Sequence, residues 1–255
     1  MYTALLNEES VTARDCTDRT LDYLCPECRS QVILKRGKIK VPHFAHKDNF
    51  LSCDFGKNES ESHLRAKDWL YQTISAAGYE VHAEYKITNK HGKYIFADIY
   101  YVPTGTDMPI AVEVLTQGVT VKDIEDRIIF YNKANVAVLW IVDESFYKKT
   151  KKSEFSMSAP IQYLYKYYYN NLYVFDGTRL LVYKVKNAVH IHKGGYDQYG
   201  DYHPDTEYTC KTLFNVVKVV QVDLIKQFSR GRKDAFGKFP AGYVYLLKYD
   251  IARAL

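Results

Sequence analysis

The sequence predicts a mixed α/β chain of the α+β kind, and three observations carry that expectation. Of 255 residues, 47% are hydrophobic and 25% charged; this is globular usage and excludes disordered, collagen-like and coiled-coil chains. Patterned segments between residues 59 and 142 follow the order helix, three strands, helix, strand. Cys and His residues gather near the N-terminus at metal-ligand spacing, which predicts a small separate module.

The elements follow in order. Strand-like pieces run Tyr2–Leu6, Gln31–Lys35 and Lys38–Val41, and the turn Lys35-Arg36-Gly37-Lys38 would make the last two a hairpin. Residues Glu59–Ala77 keep helical spacing until Gly78 stops them. Strands are expected at Val81–Thr88, at Lys93–Val102 after the turn His91-Gly92, and at Pro109–Leu115. Val121–Lys133 sets Val121, Ile124, Ile128 and Tyr131 on one helical stripe. Val136–Val142 is a near-continuous apolar run of the kind that fills a buried strand.

From Lys149 the character changes: Tyr163, Tyr165, Tyr167, Tyr168, Tyr169 and Tyr173 crowd together. Leu172–Phe175 and Arg179–Val185 flank Asp176-Gly177, a hairpin signal. Thr212–Phe228 reads as a helix and Tyr243–Tyr249 as a strand. Three domains are expected, over residues 1–56, 57–148 and 149–255, the last Tyr-rich and basic.

Charge narrows the partners. The net charge of +5 is mild, and residues 206–255, with nine Lys/Arg and four Asp/Glu, account for as much. A loop there carries Arg230, Arg232 and Lys233 among glycines and aromatics, a composition that can track a phosphate backbone and stack bases. No secretory leader is visible, and the longest apolar run falls far short of a bilayer span, so a soluble cytoplasmic protein without a membrane partner is expected.

Cys25-Pro-Glu-Cys28 aims two thiolates at one point, and zinc then needs two more ligands. His43, His46 and Cys53 follow. On an extended strand His43 and His46 point to opposite faces, so only one joins the ion without a turn between them. Cys25, Cys28, His46 and Cys53 are the first choice, with His43 in reserve. Four protein ligands make a closed, structural zinc site that stabilises a module too small to fold alone. Thiol redox chemistry lacks its usual βαβ setting here.

Asp98 and Glu113 are lone carboxylates inside apolar strands, where an unpaired charge costs several kcal/mol. A hairpin of the two strands would bring them together beside the Val114 carbonyl as a hard oxygen site for Mg²⁺ or Mn²⁺. On the preceding helix Glu59, His63 and Lys67 share the face of Leu70, Ile74 and Ala77, so polar groups stand on a face expected to be buried. Glu84 is a further acid at the edge of this site. The plain structural alternative is a salt bridge from Lys67 to Asp98 or Glu113.

In their order and spacing, Cys25-Pro-Glu-Cys28, Pro42-His-Phe-Ala-His46, Glu59…His63…Lys67, Glu84, Ala97-Asp98, Val112-Glu113, Arg127…Tyr131 and Leu139-Trp-Ile-Val142 resemble the competence protein CoiA-like nucleases. The likeness covers about residues 1–145. It implies a zinc-ribbon-like module before a restriction-endonuclease-like PD-(D/E)xK core, acting on DNA with possible links to recombination proteins. It gives the metal-binding acid roles to Asp98 and Glu113, marks Glu59 and His63 as site residues, and adds Arg127 and Tyr131. Leu115 stands where the pattern has Gln or Lys. Lys67 or Gln117 would then supply the missing group, or the fold would bind DNA without cutting it. Competence, defence and mobile-element roles all remain compatible with these residues.

Overall fold

The computed structural model describes residues 1–47, 53–57, 59–103, 109–115, 118–143, 145, 154–168, 170–221, 228–230 and 244–246. Its first sheet is built from β1 (Thr3–Leu6), β2 (Glu9–Thr12), β3 (Tyr23–Leu24), β4 (Gln31–Lys35) and β5 (His43–His46). All neighbours are antiparallel in the order β2-β1-β3-β4-β5. Ala4, Tyr23, Val32, Leu34 and Phe44 form its own small core. The hairpin predicted after Gln31–Lys35 exists, but its second strand is His43–His46 rather than Lys38–Val41. Lys38, Ile39 and Lys40 are all exposed and give no buried face to pair on.

Helix α1 (Glu61–Ala76) starts where the Ser60 hydroxyl accepts the His63 N–H at 3.1 Å, a cap that leaves Glu59 just outside the helix. It buries Leu64, Ala66, Lys67, Leu70 and Ile74, while Ala77 is exposed past its end. Strands β6 (Val81–Thr88), β7 (Tyr94–Tyr101) and β8 (Ile110–Leu115) form an antiparallel meander. Helix α2 (Val121–Lys133) begins with a reciprocal cap between Thr120 and Asp123. It returns the chain to β9 (Ala137–Asp143), which runs parallel to β8.

The same sheet carries on beyond residue 148. It gains β10 (Glu154–Ser156), and after helix α3 (Ala159–Tyr167) it gains β11 (Asn171–Phe175), β12 (Leu180–His192) and, beyond the short pair β13 (Gly195–Tyr196) and β14 (Tyr202–His203), β15 (Thr206–Gln221). The order is β10-β15-β12-β11-β9-β8-β7-β6, a mixed sheet whose core runs from Leu64 and Leu70 to Leu172 and Phe214. Gly177, at φ +96°, makes the tight turn between β11 and β12. The architecture is mixed α+β, as the sequence predicts.

The helix expected over Thr212–Phe228 is replaced by β15 as far as Gln221, paired antiparallel with β12. Val216, Val217, Val219 and Val220 supply the β-branched density that favours a strand. Phe228–Arg230 is a short strand, β16, parallel to β17 (Val244–Leu246), so the proposed basic loop begins as strand at Arg230. Arg232 and Lys233 lie outside the described residues. None of the described helices is long and apolar enough to cross a membrane.

Candidate active site and metal centre

The sheet brings the carboxylates together. Ile99 pairs with Val112, and one further step of that antiparallel register sets Asp98 opposite Glu113. On the other side, the β6–β7 register sets Glu84 opposite Asp98. Helix α1 packs over β6, β7 and β8 and contributes His63 and Lys67. Glu59 reaches in from just before its cap. All six line one cleft of about 1030 Å³, with Arg127 from α2 in its wall.

Each acid is held by named donors. The Asp98 Oδ2 faces His63 Nε2 at 3.0 Å and accepts the Val114 N–H at 2.9 Å. The Glu113 Oε1 accepts from Arg127 at 2.6 Å and from the Tyr131 hydroxyl. Arg127 also donates to the Phe96 carbonyl at 2.6 Å, which fixes α2 against β7. His63 Nδ1 meets Glu59 at 3.1 Å. Lys67, only 2% exposed, sits between Glu59 and Glu84, the latter at 2.5 Å. The sequence alternative of a Lys67 bridge to Asp98 or Glu113 is therefore not the pairing found.

Glu84 is fully engaged. It accepts the Tyr2 N–H at 2.7 Å, the Thr3 N–H at 2.9 Å and the Thr3 hydroxyl at 2.7 Å, besides Lys67. Its φ of +49° lies in the left-handed region, a strained setting for a buried glutamate. Glu84 thus fastens β1 to the cleft instead of standing free as an acid. Sequence spacing carried no signal for this.

Electrostatics sort the groups. Burial alone would lower the His63 pKa, but Asp98 and Glu59 raise it to about 9, so His63 is an imidazolium at neutral pH. Burial would raise Asp98, but His63 and Lys67 hold it below the usual carboxylate range. Glu59 is likewise held low against burial, chiefly by Lys67 and His63. Glu113 goes the other way: burial, with Asp98 nearby, lifts it although Arg127 opposes the shift. A carboxyl pushed up by burial and a like charge is one that a cation would stabilise.

Leu115, two residues past Glu113, lines the cleft half-buried, as its aliphatic chain dictates. Gln117 lies outside the described residues. Trp140, opposite Glu113 on β9, also lines the cleft, and its buried indole N–H has no hydrogen-bond partner among the described residues. Nothing in the sequence set Trp140 apart from the apolar run around it.

The cysteine cluster forms as spaced. Ligand atoms of Cys25, Cys28, His46 and Cys53 all lie within 4.8 Å of one another. Cys25 Sγ and Cys53 Sγ are 3.9 Å apart, and Cys28 Sγ is 3.4 Å from His46 Nε2. Such spacings suit four ligands around one tetrahedral zinc, and the soft S₃N donor set suits that ion. Burial drives the Cys25 thiol up to about 12; burial also raises the Cys28 thiol, but hydrogen bonds from Ser30 and His46 together outweigh it and bring it down to about 6. His43, the reserve ligand, instead turns its Nδ1 to the Val41 carbonyl at 2.9 Å. It sits three residues from His46 on β5, and the strand sends the two rings apart.

A module whose four Cys and His ligand atoms could hold a metal ion is thus fastened to a mixed-sheet domain with an acid-lined cleft. The model for the competence protein CoiA N-terminal domain matches residues 6–56, and that for the CoiA nuclease-like domain matches residues 59–218. The chain belongs to the competence protein CoiA family. The second match runs past residue 145 and takes in β10 to β14 and most of β15. No curated protein matches the chain.

Proposed function

We propose that the protein is a divalent-metal-dependent deoxyribonuclease that hydrolyses phosphodiester bonds in the cleft between α1 and β6–β8. The observation that carries this reading is the Asp98–Glu113 pair. Asp98 binds its donors through Oδ2 and Glu113 through Oε1, which leaves one oxygen on each with no hydrogen-bond partner among the described residues. Two such oxygens, with a glutamic acid pushed towards protonation, fit a hard cation such as Mg²⁺ or Mn²⁺. Bound there, the ion would polarise the phosphodiester and lower the pKa of a coordinated water.

The protein's own groups then have distinct tasks. His63 and the Val114 N–H orient Asp98, while Arg127 and Tyr131 orient Glu113. Lys67 and the Met1 ammonium neutralise Glu59 and Glu84, while His63 and Arg127 face the metal-binding pair. Four carboxylates thus meet four cationic groups, and a divalent ion would add the positive charge that suits a phosphodiester monoanion. As part of this proposal, residues 1–56 form the zinc module and the cleft belongs to a nuclease core whose sheet includes strands beyond residue 148.

A second reading has specific support. Leu115 cannot orient water or stabilise charge, and Lys67 is tied between two carboxylates. On that reading the fold holds DNA, alone or with a recombination protein, without cutting it. Cleavage of single-stranded, linear and circular DNA with Mg²⁺ or Mn²⁺ separates the two. Metal-dependent products that vanish in Asp98→Ala and Glu113→Ala are expected; products that persist in either variant refute the assignment, and salt-sensitive binding without products favours the second reading.

A further inference from the structure

The turn between β4 and β5 has an unusual composition. From Arg29 to Lys47 there are six Lys/Arg and no acidic residue. Lys35, Lys38 and Lys40 are exposed, and between the last two stands Ile39, 89% exposed. Arg36 is not part of this free charge: its guanidinium donates to the carbonyls of Ala13, Arg14 and Cys16 and pins the base of the turn. The tip is thus a braced projection bearing lysines and one bare aliphatic side chain.

Its place in the fold gives the tip a direction. The Val41 N–H donates to Glu61 Oε1 at 3.2 Å, in the first turn of α1. Ser60, Ser62 and His63 of that same turn line the acid-rich cleft. Lys57, more than half exposed, lies on the cleft's rim as well. Of the cations lining the cleft, His63, Lys67 and Arg127 are committed to its carboxylates and Lys57 pairs with Asp54 at 3.4 Å. Among the described residues, the exposed lysines beside the first turn of α1 are therefore those of the β4–β5 tip.

We propose that the β4–β5 tip is the docking element for DNA, with Lys35, Lys38 and Lys40 on the phosphate backbone and Ile39 set against the bases. This deepens the nuclease reading and rests on it for the choice of partner. Charge complementarity selects a polyanion, and an apolar side chain between two lysines can wedge at a base step, which a wholly charged patch cannot. The tip would hold the strand beside α1 while the cleft handles one phosphodiester.

Fluorescence anisotropy with a labelled oligonucleotide, in Ca²⁺ and at several salt concentrations, tests it. The double variant Lys38→Ala/Lys40→Ala should raise Kd about tenfold at low salt and reduce the salt slope by roughly 2, near one for each phosphate left without its lysine. Ile39→Ser should weaken binding and leave the slope unchanged. All three positions are exposed, so folding is preserved and circular dichroism confirms it. Unchanged Kd and slope in the double variant overturn the proposal. So does a wild type that binds no DNA at low salt, or one that prefers anionic vesicles through the tip. Tip-dependent binding without any cleavage in Mg²⁺ or Mn²⁺ refutes the nuclease reading alone; cleavage with tip-independent binding refutes this proposal alone.

Discussion

Replacing Lys67 by Met removes the cation from a tightly enclosed charge cluster. Met keeps most of the volume, so the cavity cost is small. What remains is Glu59 and Glu84, both buried and both deprived of the ammonium between them. Breaking a buried ion pair from one side costs about 3–5 kcal/mol, because the surviving charge is left unpaired. Glu84 retains three donors from Tyr2 and Thr3, and Glu59 retains His63 and the Met1 ammonium, which places the loss towards the lower end of that range. For a domain of this size about 3 kcal/mol lowers Tm by roughly 6–12 °C. Thermal unfolding followed by circular dichroism at pH 7 measures it. The deficit should shrink as pH falls and Glu59 takes up a proton, and Lys67→Met/Glu84→Gln should recover part of it. A Lys67→Met protein within about 1 kcal/mol of wild type refutes the ionic account of this cluster.

Two further outcomes are expected. The purified protein should carry one zinc per chain by elemental analysis, lost in Cys28→Ser, and removal by a chelator should open residues 1–56 to proteolysis; equal protease resistance with and without the chelator contradicts a structural ion. Asp176 accepts from Thr178 and Arg179 in the β11–β12 turn and, despite some burial, these bonds lower its pKa to about 2. Because the folded pKa is depressed, its stabilisation is present above the unfolded value of about 3.9 and is lost as pH falls through about 2. Asp176→Ala should cost about 1 kcal/mol at neutral pH, modest because the turn faces water, and the difference should close below pH 2; a gap independent of pH contradicts this.

Some of this architecture is legible in the residues. Carboxylates inside apolar strands pointed to Asp98 and Glu113 because such placement is costly without a purpose, and helical spacing put His63 and Lys67 on a buried face. Cysteine and histidine spacing selected His46 over His43 through the alternation of a strand. Arg127 and Tyr131 came only from the family resemblance, since on α2 they look like an ordinary surface arginine and a core tyrosine. The role of Glu84 depends on a positive φ and on β1, more than eighty positions earlier, and no local pattern encodes either. The helix expected over Thr212–Phe228 failed because Leu213, Phe214, Val216, Val217 and Val220 fit helical spacing as well as strand alternation. Long-range pairing with β12 decides that ambiguity. Lys38–Val41 failed for the opposite reason: Ile39 and Val41 satisfy a strand propensity, but Ile39 is exposed and only Val41 packs against the core.

The central claim is that Asp98 and Glu113 jointly hold a catalytic divalent ion. Calorimetric titration of Mn²⁺ into zinc-loaded wild type, Asp98→Ala and Glu113→Ala, run beside DNA cleavage on the same samples, tests it most directly. Mn²⁺ binding and cleavage should be lost together in both variants, with one zinc per chain retained. Mn²⁺ binding that survives either substitution unchanged, or metal-dependent cleavage that does, would contradict the account.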